Sequence, residues 1–183
     1  MHRPAHLDRN PGSSELHSCE MTDVAFLHQR TYGALRPTRP VLAADSFWDF
    51  RMGFLREEMQ ELNDAHKHGD LLEVGDALVD IAYVAMGTAW WLGLPWESMW
   101  AAVHAANLAK KPGTTKRNHP LDLVKGPDWV RPDHAPHFLR AGWHPDDQVR
   151  FDPVAIARRV GAWDGQGGNG HHATLAKLHE EKP

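Results

Sequence analysis

The fold is decided by residues 47–92, which read FWDFRMGFLREEMQELNDAHKHGDLLEVGDALVDIAYVAMGTAWWL. Apolar side chains recur at close to helical spacing in the first half. Gly69 then marks a helix end, and Asp70 is a residue that caps a new helix. The second half, 71–92, is apolar on most sides, which predicts a helix at the centre of a bundle. The segment therefore predicts two antiparallel helices joined by a tight turn.

The flanking sequence extends this pattern to a bundle. Further helices are predicted at 22–32 and 95–111, and no convincing alternating strand pattern is present. We therefore predict an all-α fold with a helical-bundle domain over 21–134, in which the stretch from 114 onward is rich in loops. Residues 1–20 are expected to be a disordered N-terminal extension. Residues 135–183 are expected to form a C-terminal extension with a loop-rich start, a short helix near 153–160 and a flexible tail.

Composition excludes several classes of protein. The 183 residues carry 20 basic and 24 acidic side chains, a net charge of -4, so a generally basic nucleic-acid binder is excluded and no nucleic-acid polymer is expected as a partner. The longest apolar stretch, 81–94, is too short for a membrane span of about 20 residues. The one cysteine, Cys19, and an N-terminus without an apolar leader favour a cytoplasmic protein.

Acidic residues on the two central helices are the most informative feature. Residues three and four apart share a helix face, so each helix carries one acidic line. Packing carboxylates together at low dielectric is unfavourable, and Mg²⁺ or Mn²⁺ would offset that cost. The absence of histidine from the lines favours such hard cations over zinc or iron. The alternative for the first line alone is an ordinary solvated face. The acidic residues are Glu57, Glu58, Glu61, Glu73, Asp76 and Asp80.

At these residues the chain resembles the MazG-like all-α nucleoside triphosphate pyrophosphohydrolases. That superfamily includes the dimeric dUTPases and the phosphoribosyl-ATP pyrophosphohydrolase of histidine synthesis. Its signature is Glu-Glu-x-x-Glu on one helix and Glu-x-x-Asp on the next, which here are 57–61 and 73–76. The resemblance covers roughly 21–134. Only 11 residues, 62–72, separate the two motifs, at or below the short end of the family's range.

The resemblance implies hydrolysis of a nucleoside triphosphate between its α- and β-phosphates, which yields a monophosphate and pyrophosphate. It further implies Mg²⁺, with Mn²⁺ as a substitute, on Glu57, Glu58, Glu61, Glu73 and Asp76. One carboxylate would activate the attacking water, and Glu57 and Glu58 are the candidates. Asp80 would act behind these ligands, although a salt-bridged or capping carboxylate is the alternative.

Positive groups for the phosphates follow the last predicted helix of the domain. Asn107 and Lys110 match the Asn-x-x-Lys of the family, and Lys111 adjoins them. Lysine is a natural partner of phosphate oxygens, although lysines at this position also complement the helix dipole. Lys125 lies on the following loop, which could close over a nucleotide and bring Trp129 near the base.

Self-association is expected because the small bundle has little material to cover its central helix. The resemblance agrees with a homodimer or homotetramer. A purine nucleotide, GTP or dGTP among them, is a further hypothesis, because a tryptophan-rich interface can stack a large base. Two other functions stay open: hydrolysis of phosphoribosyl-ATP, and a non-catalytic helical interaction module with an acidic face.

Overall fold

The computed structural model describes residues 13–117 and 119–159, and it confirms a helix-rich, all-α architecture. Four two-residue strands and one 3₁₀ turn connect the helices. Within the described residues, no helix is both long and apolar enough to cross a membrane. The elements are α1 (Ser13–Tyr32), a 3₁₀ turn (Gly33–Leu35), β1 (Leu42–Ala43), α2 (Asp45–His68), α3 (Leu71–Trp91), α4 (Trp96–Leu108), β2 (Lys111–Pro112), β3 (Leu123–Val124), α5 (Ala135–Arg140), β4 (Arg150–Phe151) and α6 (Pro153–Arg159).

Helix α1 begins at Ser13, nine residues before the predicted start at Thr22. The predicted N-terminal extension of residues 1–20 therefore overlaps the start of α1, and residues 1–12 lie outside the described part. The segment lacks an apolar period, but two serines and Glu15 follow a Pro-Gly pair, and such residues favour a helix start.

The central pair of helices forms as predicted. Gly69 adopts a left-handed conformation with φ of 72°, which a glycine accepts without steric cost. Asp70 then caps α3, because its Oδ1 accepts hydrogen bonds from the backbone N–H groups of Leu72 at 3.1 Å and Glu73 at 3.2 Å. Helices α2 and α3 consequently pack side by side in opposite directions.

Only the C-terminal half of α3 is central, which corrects the expectation of a helix buried throughout. Trp90 and Trp91 are 1% and 6% exposed, whereas Leu71 and Leu72 near the turn are 80% and 85% exposed. The physical reason is length: 24 residues of α2 span about 36 Å, farther than the surrounding elements reach. The turn end of the hairpin therefore projects from the core with apolar side chains uncovered.

The core lies at the end of the hairpin opposite the turn. Residues from both the N-terminal and the C-terminal part of the described chain contribute side chains to it. Phe151, in β4, packs edge-on against Phe47 with ring centroids 6.1 Å apart. Strand β4 pairs in parallel with β1, and Arg39 forms an ion pair with Asp147. The predicted boundary at residue 134 therefore does not separate these residues from the core. The core residues are Met21, Leu35, Ala43, Phe47, Trp90, Trp91, Leu92, Phe151 and Ala157.

The loop-rich segment after α4 also contains more structure than expected. Helix α4 ends at Leu108 rather than Lys111, because the chain enters β2 at that lysine. Helix α5 was not predicted. Helix α6 was predicted, and Asp152 caps it by accepting from the N–H groups of Val154 and Ala155.

Candidate functional site

The acidic residues of α2 and α3 lie close enough to influence one another. The pKa of Glu58 is raised, first by partial desolvation and then by the carboxylates of Glu61, Asp80, Glu57 and Asp76, in that order. Charges on both helices therefore act on Glu58. The antiparallel hairpin explains this, because residues equally far from the turn face each other across the pair.

An open groove of about 690 Å³ runs along the hairpin near its turn. Three of the predicted ligands, Glu57, Glu61 and Glu73, line it. Glu58, Asp76 and Asp80 do not line the groove. The two groups are nevertheless close, because the charges of Glu57 and Glu61 contribute to the raised pKa of Glu58. The lining residues are Glu57, Gln60, Glu61, Asp64, Ala65, His68, Asp70 and Glu73.

Carboxylate oxygens are the donors that Mg²⁺ and Mn²⁺ prefer, so the chemistry of this donor set fits a hard divalent cation. Over residues 13–117 and 119–159, however, no three His, Cys, Asp or Glu side chains converge closely enough to hold a metal ion. Desolvation and then the neighbouring carboxylates raise the pKa of Glu58, and a cation bound among these groups would offset their repulsion. Three of the acidic residues therefore line an open groove, and the described residues form no closed cage.

Positive residues gather in a separate cleft of about 360 Å³ beside the end of α4. The Nζ of Lys110 donates to Oδ1 of Asn107 at 2.7 Å. The Nζ of Lys125 lies 4.2 Å from the centroid of the Trp129 ring, a cation–π contact. The cleft is lined by Val103, Ala106, Asn107, Lys110, Lys125, Trp129, Arg131 and Pro132.

The chain reaches this cleft through a hairpin and a turn. Strands β2 and β3 pair antiparallel directly after α4, and Arg117 bonds to Asp122 in the loop that joins them. This arginine and the hydroxyl of Thr115 hold the pKa of the Asp122 carboxyl well below its usual range. A turn closed by the N–H of Trp129 and the carbonyl of Gly126 follows, at 3.1 Å. The chain is thereby directed back toward α4.

Trp129 fastens the returning chain to α4, because its Nε1–H donates to the carbonyl oxygen of Ala106 at 2.7 Å. The side chain is half-buried, and Lys125 covers its ring. Sequence reasoning placed this tryptophan near a base, whereas the structure gives it an anchoring contact in the cleft.

The structure brings together three of the four predicted phosphate-binding residues, Asn107, Lys110 and Lys125. Lys111 lies in β2, paired with Val124, and is not among the residues that line the cleft. Sequence reasoning missed Arg131. The sequence shows Arg131 two residues after Trp129, but no local pattern indicates that this arginine lies beside α4.

The antiparallel helical pair with its two acidic lines is the arrangement expected from the resemblance to the MazG-like all-α superfamily. Residues 25–107 match the family model described as phosphoribosyl-ATP pyrophosphohydrolase, a family that belongs to the MazG-like all-α superfamily. The match implies a pyrophosphohydrolase enzyme that acts on a nucleotide. No curated protein matches the chain.

Proposed function

We propose that the protein is a metal-dependent nucleoside triphosphate pyrophosphohydrolase. It would cleave an NTP or dNTP between the α- and β-phosphates to a nucleoside monophosphate and pyrophosphate. One observation supports this most strongly: carboxylates on α2 and α3 lie close enough to Glu58 that, after desolvation, their charges raise its pKa. Such an arrangement is destabilised by repulsion unless a cation joins it, and the substrate of the family is a polyanion that needs the same cation.

The proposed ligands of Mg²⁺, or of Mn²⁺ in its place, are Glu57, Glu58, Glu61, Glu73 and Asp76. The ion would neutralise the phosphates, polarise the α-phosphorus and make bound water more acidic. Asp80 acts on Glu58 through its charge and would keep the ligand carboxylates in position.

Glu58 is the better of the two candidates for the base. The carboxylate that the metal leaves unengaged would take the proton from the attacking water, and Glu58 is the one on which charges of both helices act. The oxygen of that water would bond to the α-phosphorus while the bond from phosphorus to the bridging oxygen breaks. Pyrophosphate then leaves with the bridging oxygen.

Lys110, Asn107 and Lys125 are proposed to bind the phosphates, with Lys111 as a more distant cation. The cationic cleft and the acidic groove share no lining residue in one chain. A homodimer or homotetramer would cover the exposed leucines near the turn and could place the cleft of one copy beside the groove of another. Light scattering at micromolar concentration would contradict this if it showed a monomer.

Phosphoribosyl-ATP is a second candidate substrate, because the matched family model carries that name. It presents the same triphosphate, so the acidic residues would act on it identically. Phosphoribosyl-ATP differs from ATP by the phosphoribosyl group attached to the adenine ring. A preference for purine nucleotides would be compatible with either candidate.

The test is a panel of NTPs, dNTPs and phosphoribosyl-ATP, with Mg²⁺, with Mn²⁺ and with neither, and with products separated by ion exchange. The Glu58→Gln and Glu61→Gln variants should lose at least about 100-fold in turnover, because each removes a charge from the proposed metal site. Glu97→Gln, an exposed acid on α4, is the matched control and should keep full activity. Metal-independent turnover, or full activity in both hairpin variants, would contradict the proposal.

A further inference from the structure

The segment after α4 adds cations that lie beyond the matched part of the chain. Arg131 and Lys125 come from residues 111–132, which start after the family match ends at residue 107. Lys110 faces them from the end of α4. The described lining of the cleft contains these three cations and no carboxylate, so the cleft attracts anions.

These cations differ from two other arginines of the described chain, which form ion pairs. Arg117 in the same segment bonds to Asp122, and Arg39 bonds to Asp147, so both are neutralised. Neither Lys125 nor Arg131 has an ion pair with any described residue. Two uncompensated positive side chains on one short segment are thus held beside a third, and their mutual repulsion favours a bound polyanion.

The cleft is also held in shape before any ligand arrives. Trp129 is fixed to α4 by its hydrogen bond to Ala106, and it carries Lys125 on its ring face. Asn107 holds the ammonium of Lys110. Arg131 follows two residues after the anchored tryptophan, so its backbone is confined to the same edge of the cleft. Such preorganisation lowers the entropy lost on binding.

We infer that Arg131, with Lys125 and Lys110, forms a subsite for the diphosphate end of the substrate, the part that leaves as pyrophosphate. The inference rests on the proposed function, including the association that places the cleft of one copy beside the acidic groove of another, and it holds equally for a nucleoside triphosphate and for phosphoribosyl-ATP. A guanidinium binds two phosphate oxygens through a planar pair of N–H groups, whereas a lysine ammonium binds phosphate as a point charge without that fixed geometry. The volume of about 360 Å³ lies within the range of small-ligand sites.

The test measures binding of inorganic pyrophosphate by calorimetry in a buffer that contains EDTA. Without divalent metal the acidic groove repels the probe, so the heat reports the cationic cleft. Arg131→Ala should weaken binding by about 10-fold or more, and Arg131→Lys should recover only part of that loss. Lys116→Ala, which removes an exposed cation of the same segment outside the cleft, is the matched control and should bind as the unmodified protein does.

Kinetics supply a second readout. Arg131→Ala should raise KM more than it lowers kcat, because the subsite holds the diphosphate in both the ground state and the transition state. Unchanged pyrophosphate affinity in Arg131→Ala would overturn the inference, and so would an equal loss in Lys116→Ala.

The two proposals fail in different ways. If no nucleotide is hydrolysed but Arg131→Ala still loses pyrophosphate binding, the proposed function is wrong, and the cleft binds pyrophosphate without serving hydrolysis. If nucleotides are hydrolysed and Arg131→Ala binds pyrophosphate normally, the subsite is wrong and the proposed function stands.

Discussion

The buried histidine of α1 gives a quantitative prediction about stability. His28 is 8% exposed and stacks on Trp90 with ring centroids 5.3 Å apart. The rings of Tyr32 and Trp91 also pack on it, and Arg51 is the charged group beside it. Burial, and then the charge of Arg51, lower the pKa of His28 from 6.5 to about 4. The folded protein therefore keeps this imidazole neutral.

The sign of the effect follows from proton binding. Between these two pKa values the unfolded chain binds a proton that the folded protein rejects, so acid favours unfolding. A depression of about 2.5 pH units is worth about 3.4 kcal/mol, of which about 2.5 kcal/mol is lost by pH 4.5. The contribution is fully present above about pH 6.5.

Urea denaturation of the unmodified protein and of His28→Gln separates this contribution from the rest. The glutamine variant loses ring packing at every pH, but it has no imidazole to titrate. Because the other titrations cancel in the difference, the gap in unfolding free energy should shrink by about 2.5 kcal/mol between pH 7 and pH 4.5. A gap that stays constant with pH would refute the reasoning.

Three further predictions concern other parts of the fold. Without metal at neutral pH, Glu58→Gln should raise the unfolding free energy, because a raised pKa disfavours the charged carboxylate in the folded state; urea titrations should show the gain vanishing in acid. Gly87→Ala should lower the melting temperature at a cost of about 1–3 kcal/mol, because its Cβ would lie 2.6 Å from Nε2 of His28. Phe151→Ala should cost about 3–5 kcal/mol in urea if the C-terminal segment completes the core.

The features that sequence reasoning predicted correctly depend on near neighbours in the chain. The turn at Gly69, the cap by Asp70 and the cap by Asp152 are all encoded within a few residues. The shared face of the acidic side chains follows from the helical period alone. Their mutual influence on Glu58 then requires only that the two helices pack antiparallel.

What sequence reasoning missed depends on distant contacts. The cleft exists because the indole of Trp129 donates a hydrogen bond to the carbonyl of Ala106, 23 residues earlier in the chain. No local sequence pattern predicts that contact. Phe151 enters the core through a strand of two residues, which is too short to show alternation. The exposed leucines at the start of α3 were predicted to be buried because the helix is apolar. The apolar pattern does not show which element would pack against them.

The central claim is that the acidic hairpin directs water to the α-phosphorus of a nucleotide. The most direct test is hydrolysis of the best substrate in ¹⁸O-labelled water, with mass spectrometry of both products. The account predicts a nucleoside monophosphate that carries the label together with unlabelled pyrophosphate, and neither product when metal is removed. A nucleoside diphosphate with labelled orthophosphate, or label in pyrophosphate, would contradict it.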